Sequence, residues 1–166
     1  MKWCICLSFG SKTPPMDLYN VELKPFKSKF FPISLITLLA VITTFALLTK
    51  GVYLLANFDP GKKLTWPIFG VMIILAGIHS QQQKKKLSKL WEIEDFTHRV
   101  SEYQKLYGFR LLWFLFSCLL SCGLAILTGR QLFAYFGAFD LVMVLFHYPS
   151  LMLFKRELKN DEIFFV

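Results

Sequence analysis

Charge is what this sequence has least of. Of its 166 residues only 18% are Asp, Glu, Lys or Arg, against about 25% in water-soluble domains. The charges present sit in short stretches that separate long uncharged runs. Phe30 to Thr49, Leu64 to Ser80 and Leu111 to Gly129 hold no Asp, Glu, Lys or Arg, and the second of them is the shortest. Gln131 to Phe154 is a longer run with a single acid, Asp140. None of the four runs has a polar face, and helices that are apolar all round are buried in protein or in lipid. About 20 apolar residues cross the ~30 Å hydrocarbon layer of a bilayer. All four runs are expected to cross, the second only just.

Other absences exclude chemistry. The sequence has no Gly-rich phosphate loop, no nucleophile elbow, no metal-ligand spacing and no pair of carboxylates set among loop basic residues. The stretches between the apolar runs are too short for a catalytic domain. An enzyme is therefore not expected, and neither a cofactor nor a metal is called for. The four cysteines do not imply disulfides. Cys4 and Cys6 are one residue apart, which is wrong for a zinc pair. Cys118 and Cys122 are one helical turn apart and read as small apolar residues at a packing surface. The first apolar run is not expected to be a cleaved signal, because it begins about thirty residues into the given sequence and lacks a short apolar core followed by a small-residue cleavage site. Residues 1–15 read as a detachable tail, and Met16 is expected to be the true start rather than Met1.

What is present is basic charge, distributed unevenly. Lys2, Lys12, Lys24, Lys27 and Lys29 precede the first run, and Lys84, Lys85, Lys86, Lys89, Arg99, Lys105 and Arg110 lie between the second and third. Lys155, Arg156 and Lys159 follow the fourth, while only Lys50, Lys62, Lys63 and Arg130 fall on the other side. Basic residues accumulate in cytoplasmic loops, so both termini and the central segment are expected in the cytoplasm. The net charge of +8 then reads as topology and as attraction to anionic lipid, with no nucleic-acid partner. Lys84, Lys85, Lys86 and Trp91 are the residues expected at lipid headgroups, and for the lysine run a topology anchor is the plainer role.

The expected fold is all-α: a polytopic membrane protein with four transmembrane helices in two hairpins. Residues 1–29 form a cytoplasmic tail, 30–80 the first hairpin, 81–109 a connector, 110–154 the second hairpin and 155–166 a second tail. In the connector, Leu87, Leu90, Trp91, Phe96, Val100, Tyr103 and Tyr107 recur at short, largely three- and four-residue steps, an amphipathic helical pattern. It either extends the second and third spans or lies along the headgroups. Asp59-Pro60-Gly61 is a turn on the opposite side. Ala46-Leu47-Leu48-Thr49 matches Ala125-Ile126-Leu127-Thr128, and His79 and His147 fall at matching ends of the two hairpins. A parallel internal repeat, or the hydropathy any two hairpins share, accounts for this.

From Tyr103 to Glu162 the order is a tyrosine, Arg110 before a span, Ala125 to Gly129 closing it, Pro149 near the end of the last span, then Lys155-Arg156-Glu157-Leu158. This resembles small four-span bacterial inner-membrane proteins that form a family of unknown function. The chain departs from that pattern at Asp140. The resemblance implies a four-helix bundle in a bacterial inner membrane and carries no activity.

Three residues are candidates for a site. An ionisable group at mid-membrane costs at least ~2.5 kcal/mol and marks function by default, so Asp140 is the first. The competing reading puts Asp140 in the first turn of the fourth helix, favoured there by the helix dipole or paired with Arg130. His79 and His147 are the others. Two histidines from facing helices can ligate a haem or relay protons, and a histidine near a helix C-terminus is also simply favourable. Asp140 and His147, seven residues apart, share a face of one helix about 10 Å apart, compatible with a proton path. Pro67 and Pro149 read as architectural, Pro149 kinking or ending the fourth span. The leading expectation for function is a non-enzymatic accessory, scaffold or assembly subunit acting through helix contacts with lipid, with its own copies or with another membrane protein. A small oligomeric transporter or channel using Asp140 and His147 is the alternative, and a haem or redox bundle using His79 and His147 the third.

Overall fold

The computed structural model describes residues 19–52, 54, 63–160 and 163–165. Residues 1–18 with Met16 and the Cys4–Cys6 pair, and the Asp59-Pro60-Gly61 turn, lie outside them. Five helices run in the order α1 (Lys24–Thr49), α2 (Thr65–Leu90), α3 (Phe96–Thr128), α4 (Gln131–Phe146) and α5 (Leu151–Leu158). Two three-residue strands, β1 (Tyr19–Val21) and β2 (Ile163–Phe165), pair in parallel and join the two ends of the described chain. Apart from this clip the regular elements among the described residues are helices, as expected.

α1 and α3 are each long and apolar enough to cross a membrane, and α4 with α5 adds a third span if that bent pair is counted as one. α2 is 26 residues long, but its apolar part ends at Ile78 and the remainder is Gln- and Lys-rich. The expected single span over 131–154 is broken. α4 ends at Phe146, and α5 departs from it at 86°. Pro149 supplies the reason: it has no N–H, and its ring disfavours helical backbone in the residue before it. α4 has 16 residues, about 24 Å at 1.5 Å per residue.

Each boundary has a local cause. Asp95 caps α3, its carboxylate accepting from the Thr97 N–H at 3.0 Å. Gly129 ends α3 in the left-handed region (φ 66°) and donates its N–H to Ala125 O at 2.8 Å. Ser150 caps α5 by accepting from Leu153 N. The amphipathic pattern of the connector is resolved as extensions of α2 and α3 separated by a short turn at 91–95. The Arg99 guanidinium closes that turn by donating to Ile93 O through two nitrogens.

α3 is the central element. α1 lies parallel to it: Phe26 meets Tyr103 and Tyr107 at one end, Val41 packs with Cys118 and Cys122 in the middle, and Leu54 N donates to Ile126 O near the other. α4 runs antiparallel, with Phe133 beside Ala125 and His147 beside Phe114. The buried face of α1 is one stripe of Phe26, Phe30, Ile33, Thr37, Val41 and Thr44, residues three and four apart on one side of a helix. Leu35, Ile36, Leu38, Leu39 and Ile42 remain exposed on the other side, which is compatible with a helix that crosses a membrane. The Thr37 and Thr44 hydroxyls donate back to the carbonyls of Ile33 and Ala40, so they bring no unsatisfied group to the interface.

The α3–α4 contact is built from small residues. Cys118, Ser121, Cys122 and Ala125 on α3 face Ala134, Gly137 and Ala138 on α4, the residue sizes that let helices approach closely where lipid supplies no hydrophobic drive. Cys118 and Cys122 are free and buried there. A Cβ at Gly137 would meet Cys122 Sγ at 3.0 Å, whereas one at Gly77 on α2 meets nothing within 4 Å. Gly137→Leu is therefore expected to cost about 1–3 kcal/mol through overpacking, read as a clear fall in Tm of the detergent-purified protein. Gly77→Leu is expected to leave Tm unchanged or raised; equal effects would show that the helices do not approach at Gly137.

Candidate functional site

α2 is held near both ends, touches α3 between them through His79 on Trp113, and stands off from α4 there. At one end Phe69 meets Phe136 of α4, ring centroids 5.6 Å apart. At the other, Leu87 and Leu90 pack into the cluster around Tyr103 and Leu106, and the Trp91 indole N–H donates to Glu157 O at 2.8 Å. Between these anchors lies a cavity of about 560 Å³, walled by α2, α3, α4 and Glu157 of α5. Ile73, Ser80, Lys84 and Phe139 line it and are exposed, so it opens on the flank of the bundle between α2 and α4.

All three residues singled out by sequence meet here. Asp140, His147 and His79 line this one cavity. Asp140 is not in the first turn of its helix. α3 stops at Thr128 instead of running on, so α4 starts at Gln131 and Asp140 falls in its second half, about 15 Å along the axis from Arg130. Capping and pairing with Arg130 are both excluded by that distance. Asp140 is 4% exposed, Ser117 on α3 is its hydrogen-bonding neighbour, and its Oδ2 has no partner among the described residues. Gln83 Oε1 is likewise buried and unpartnered, and Gln83 lines the same cavity. These two are the buried side-chain polar atoms left unsatisfied among the described residues, and both are hydrogen-bond acceptors.

The histidines are held differently. His79 is mid-helix rather than at a helix end, because α2 continues to Leu90. Its ring stacks flat on Trp113, centroids 4.2 Å apart and planes 5° apart, and its Nε2 is 3.2 Å from Gln83 Nε2. With the Gln83 amide donating, His79 carries its proton on Nδ1. His147 follows α4 directly, and its Nδ1 donates to Met143 O at 2.7 Å, making Nε2 the acceptor. Tyr107 O–H donates to His147 O at 2.8 Å and satisfies a carbonyl that the broken helix leaves over. The Gln83 contact occupies the His79 nitrogen that a bis-histidine haem would need. Among the described residues no three His, Cys, Asp or Glu gather as a metal site.

The polar end of the cavity is a network that sequence reading does not assemble. Arg110 Nη1 donates to Glu157 at 2.8 and 3.1 Å, and Tyr103 O–H donates to Glu157 Oε2 at 2.8 Å. The Arg110 and Glu157 side chains are 8% and 9% exposed. By sequence Arg110 counts among the topology charges and Glu157 falls in a cytoplasmic tail. The available signal is their company: Tyr103, Arg110 and Glu157 belong to the stretch that carries the resemblance. The expected headgroup residues divide as well. Lys84, Lys85 and Lys86 are exposed, but Lys84 lines the cavity and Lys86 lies over the Phe109 ring at 4.8 Å. Trp91 has its N–H bonded inside the protein, and Lys159 Nζ stacks 3.5 Å from its ring centroid.

Removing one member of a buried ion pair strands the other, at about 3–5 kcal/mol, while replacing both by apolar groups can be neutral. Glu157→Gln is therefore expected to lower Tm sharply in detergent, and Arg110→Met with Glu157→Met to recover most of the loss. A double variant no better than the single one would show that the pair contributes its own net stability. Comparison of the chain with protein-family models, with curated proteins and with solved structures gave no match.

Proposed function

We propose that the chain is a small four-span membrane protein that takes an amphiphilic ligand from the bilayer into the flank cavity and holds it at Asp140, as a carrier or binding protein and not as an enzyme. The observation that carries this reading is the unpartnered Oδ2 of Asp140, buried in a cavity of about 560 Å³. A buried polar atom without a partner costs about 1–3 kcal/mol, and an ionisable one inside a membrane more. A ligand that donates to it recovers that cost. Asp140 Oδ2 and Gln83 Oε1 are both acceptors, so the head of the ligand brings donors, an ammonium or hydroxyl group. Trp113, Phe114, Phe136 and Phe139 line the remainder and suit an apolar body.

The topology we infer has both ends of the chain in the cytoplasm, on the strength of the basic-residue asymmetry, in a bacterial inner membrane on the resemblance of its C-terminal half. Four helices enclose little volume, so a transporting form works as a homo-oligomer. The accessory or scaffold reading draws on the exposed apolar faces of α1 and α2, which lipid covers equally well.

Dicyclohexylcarbodiimide, a lipid-soluble reagent that adds to carboxylic acids, tests the reading in nanodiscs. The α4 fragment is expected to gain the adduct mass in wild type and not in Asp140→Asn. Dodecylamine, an ammonium on an apolar chain, is expected to slow the labelling several-fold. An unlabelled wild type would mean that Asp140 is closed to the bilayer. Labelling that dodecylamine leaves unchanged would remove the amphiphile from the proposal.

A further inference from the structure

Next to this cavity around α3, where Phe109 lies 5.8 Å from the His79 ring, three helices leave their apolar runs at one level. The charged stretch of α1 ends at Lys29, that of α3 at Arg110, and that of α2 begins at Lys84. Phe109, 48% exposed, stands at this level as a ridge between two surface clefts. One, of about 550 Å³, is lined by Lys86, Lys89, Lys105 and Glu102 with Leu106 and Phe109. The other, of about 530 Å³, is lined by Lys29, Lys105 and Ser28 with Pro32, Ile33, Phe109 and Leu112. Lys105 and Phe109 belong to both. Four lysines thus line the two clefts that share Phe109, Lys86 lying over its ring at 4.8 Å, and Glu102, bonded to Lys105 at 2.6 Å, is the acid among them.

Lys29 is there because of a glycine. Gly108 is buried, and a Cβ on it would sit 3.4 Å from Lys29 Nζ and 3.5 Å from Lys29 Cδ. The lysine stem crosses α3 over the bare backbone of Gly108, and its ammonium reaches the cleft floor. Below the lysines, the second cleft continues as an apolar trough of Pro32, Ile33 and Leu112. Pro32 and Leu112 are exposed. Positive charge above and an apolar trough below match a phosphate head and an acyl chain in the order the bilayer presents them.

We propose that this ridge holds one anionic phospholipid, its phosphate among Lys29, Lys86, Lys89 and Lys105 and an acyl chain along Pro32, Ile33 and Leu112. The site rests on the chain being membrane-embedded. It is separate from the Asp140 cavity, since no residue lines both. It also moves the headgroup contact away from Lys84, Lys85 and Trp91, leaving Lys86 as the one expected residue that takes part.

The test is binding of phosphatidylglycerol carrying a fluorescent acyl chain to the detergent-purified full chain, with phosphatidylcholine and inorganic phosphate as competitors. At about fivefold in affinity per lysine near a membrane surface, Lys86→Gln with Lys89→Gln and Lys105→Gln is expected to weaken binding roughly a hundredfold. A control with the same loss of charge, Lys155→Gln with Arg156→Gln and Lys159→Gln, is expected to change it several-fold at most. Gly108→Val, which displaces the Lys29 stem without touching a charge, is expected to weaken binding about fivefold while Asp140 still reacts with the carbodiimide. Equal loss in the two triple variants, equal binding of phosphatidylcholine, or full competition by inorganic phosphate would each overturn the site. A chain that cannot be extracted from the membrane fraction with detergent because it is not there would instead remove the membrane reading itself.

Discussion

The carboxylate of Glu157 is the point on which three separately folded parts of the chain close. It accepts from Arg110 and Tyr103 of α3, and its backbone carbonyl accepts from Trp91 at the end of α2. A charge buried as deeply as this one is tolerable only with its hydrogen-bonding capacity met, so each partner is constrained in position, not merely attracted. α5 is thereby held across the end of the bundle, with Leu153, Phe154 and Leu158 turned onto the aromatic knot of Phe26, Tyr103 and Tyr107. With α5 seated, the chain that follows lies beside the segment preceding α1, where β1 and β2 pair.

The break in the last span follows from the same constraint. A straight helix from Gln131 to Phe154 would carry Glu157 out of the bundle end and leave Arg110 unpaired. Pro149 bends the path, and the backbone groups left over at the bend are taken up by Tyr107 O–H and by the His147 ring bonding back to Met143 O. His147 is in this sense part of the bend as well as part of the cavity wall. α2 is attached near its ends through Phe69 and Trp91 and to α3 through the His79–Trp113 stack, which leaves room between α2 and α4 for a cavity with His79, Gln83 and Asp140 on its walls. The packing that closes one end of the bundle thus leaves its flank open.

The two proposed sites take different parts of the α3 surface. On one side small residues and bulky aromatics frame a concave pocket with unsatisfied acceptors. Around the helix from it, Gly108 lets Lys29 lie flat across α3, and basic side chains line two clefts that share the exposed Phe109. An α-helix presents residues three and four apart on one face, so one helix can line both proposed sites with no shared residue.

Much of this architecture was legible in the residues. The apolar runs located α1, the apolar part of α2, most of α3 and α4, because apolar side chains avoid water wherever the chain takes them. Cys118 and Cys122 read as packing residues from their one-turn spacing, and both are buried between helices. Asp140, His79 and His147 were legible as unusual, because a polar group in an apolar run is costly wherever it ends up. Their meeting in one cavity was not legible, since it depends on how far α2 stands from α4, and helix separation is set by side chains on three different elements. The pairing of Arg110 with Glu157 was hidden by 47 residues of sequence separation, and by the ordinary reading of both as surface charge. The position of Asp140 turned on whether α3 stopped at Gly129, a choice between two helical continuations that differ by one left-handed residue. Sequence by itself determined which segments avoid water, because transfer free energy is local to each side chain. Tertiary structure alone decided which polar groups are satisfied and which are left facing a cavity, because that depends on partners distant in the chain.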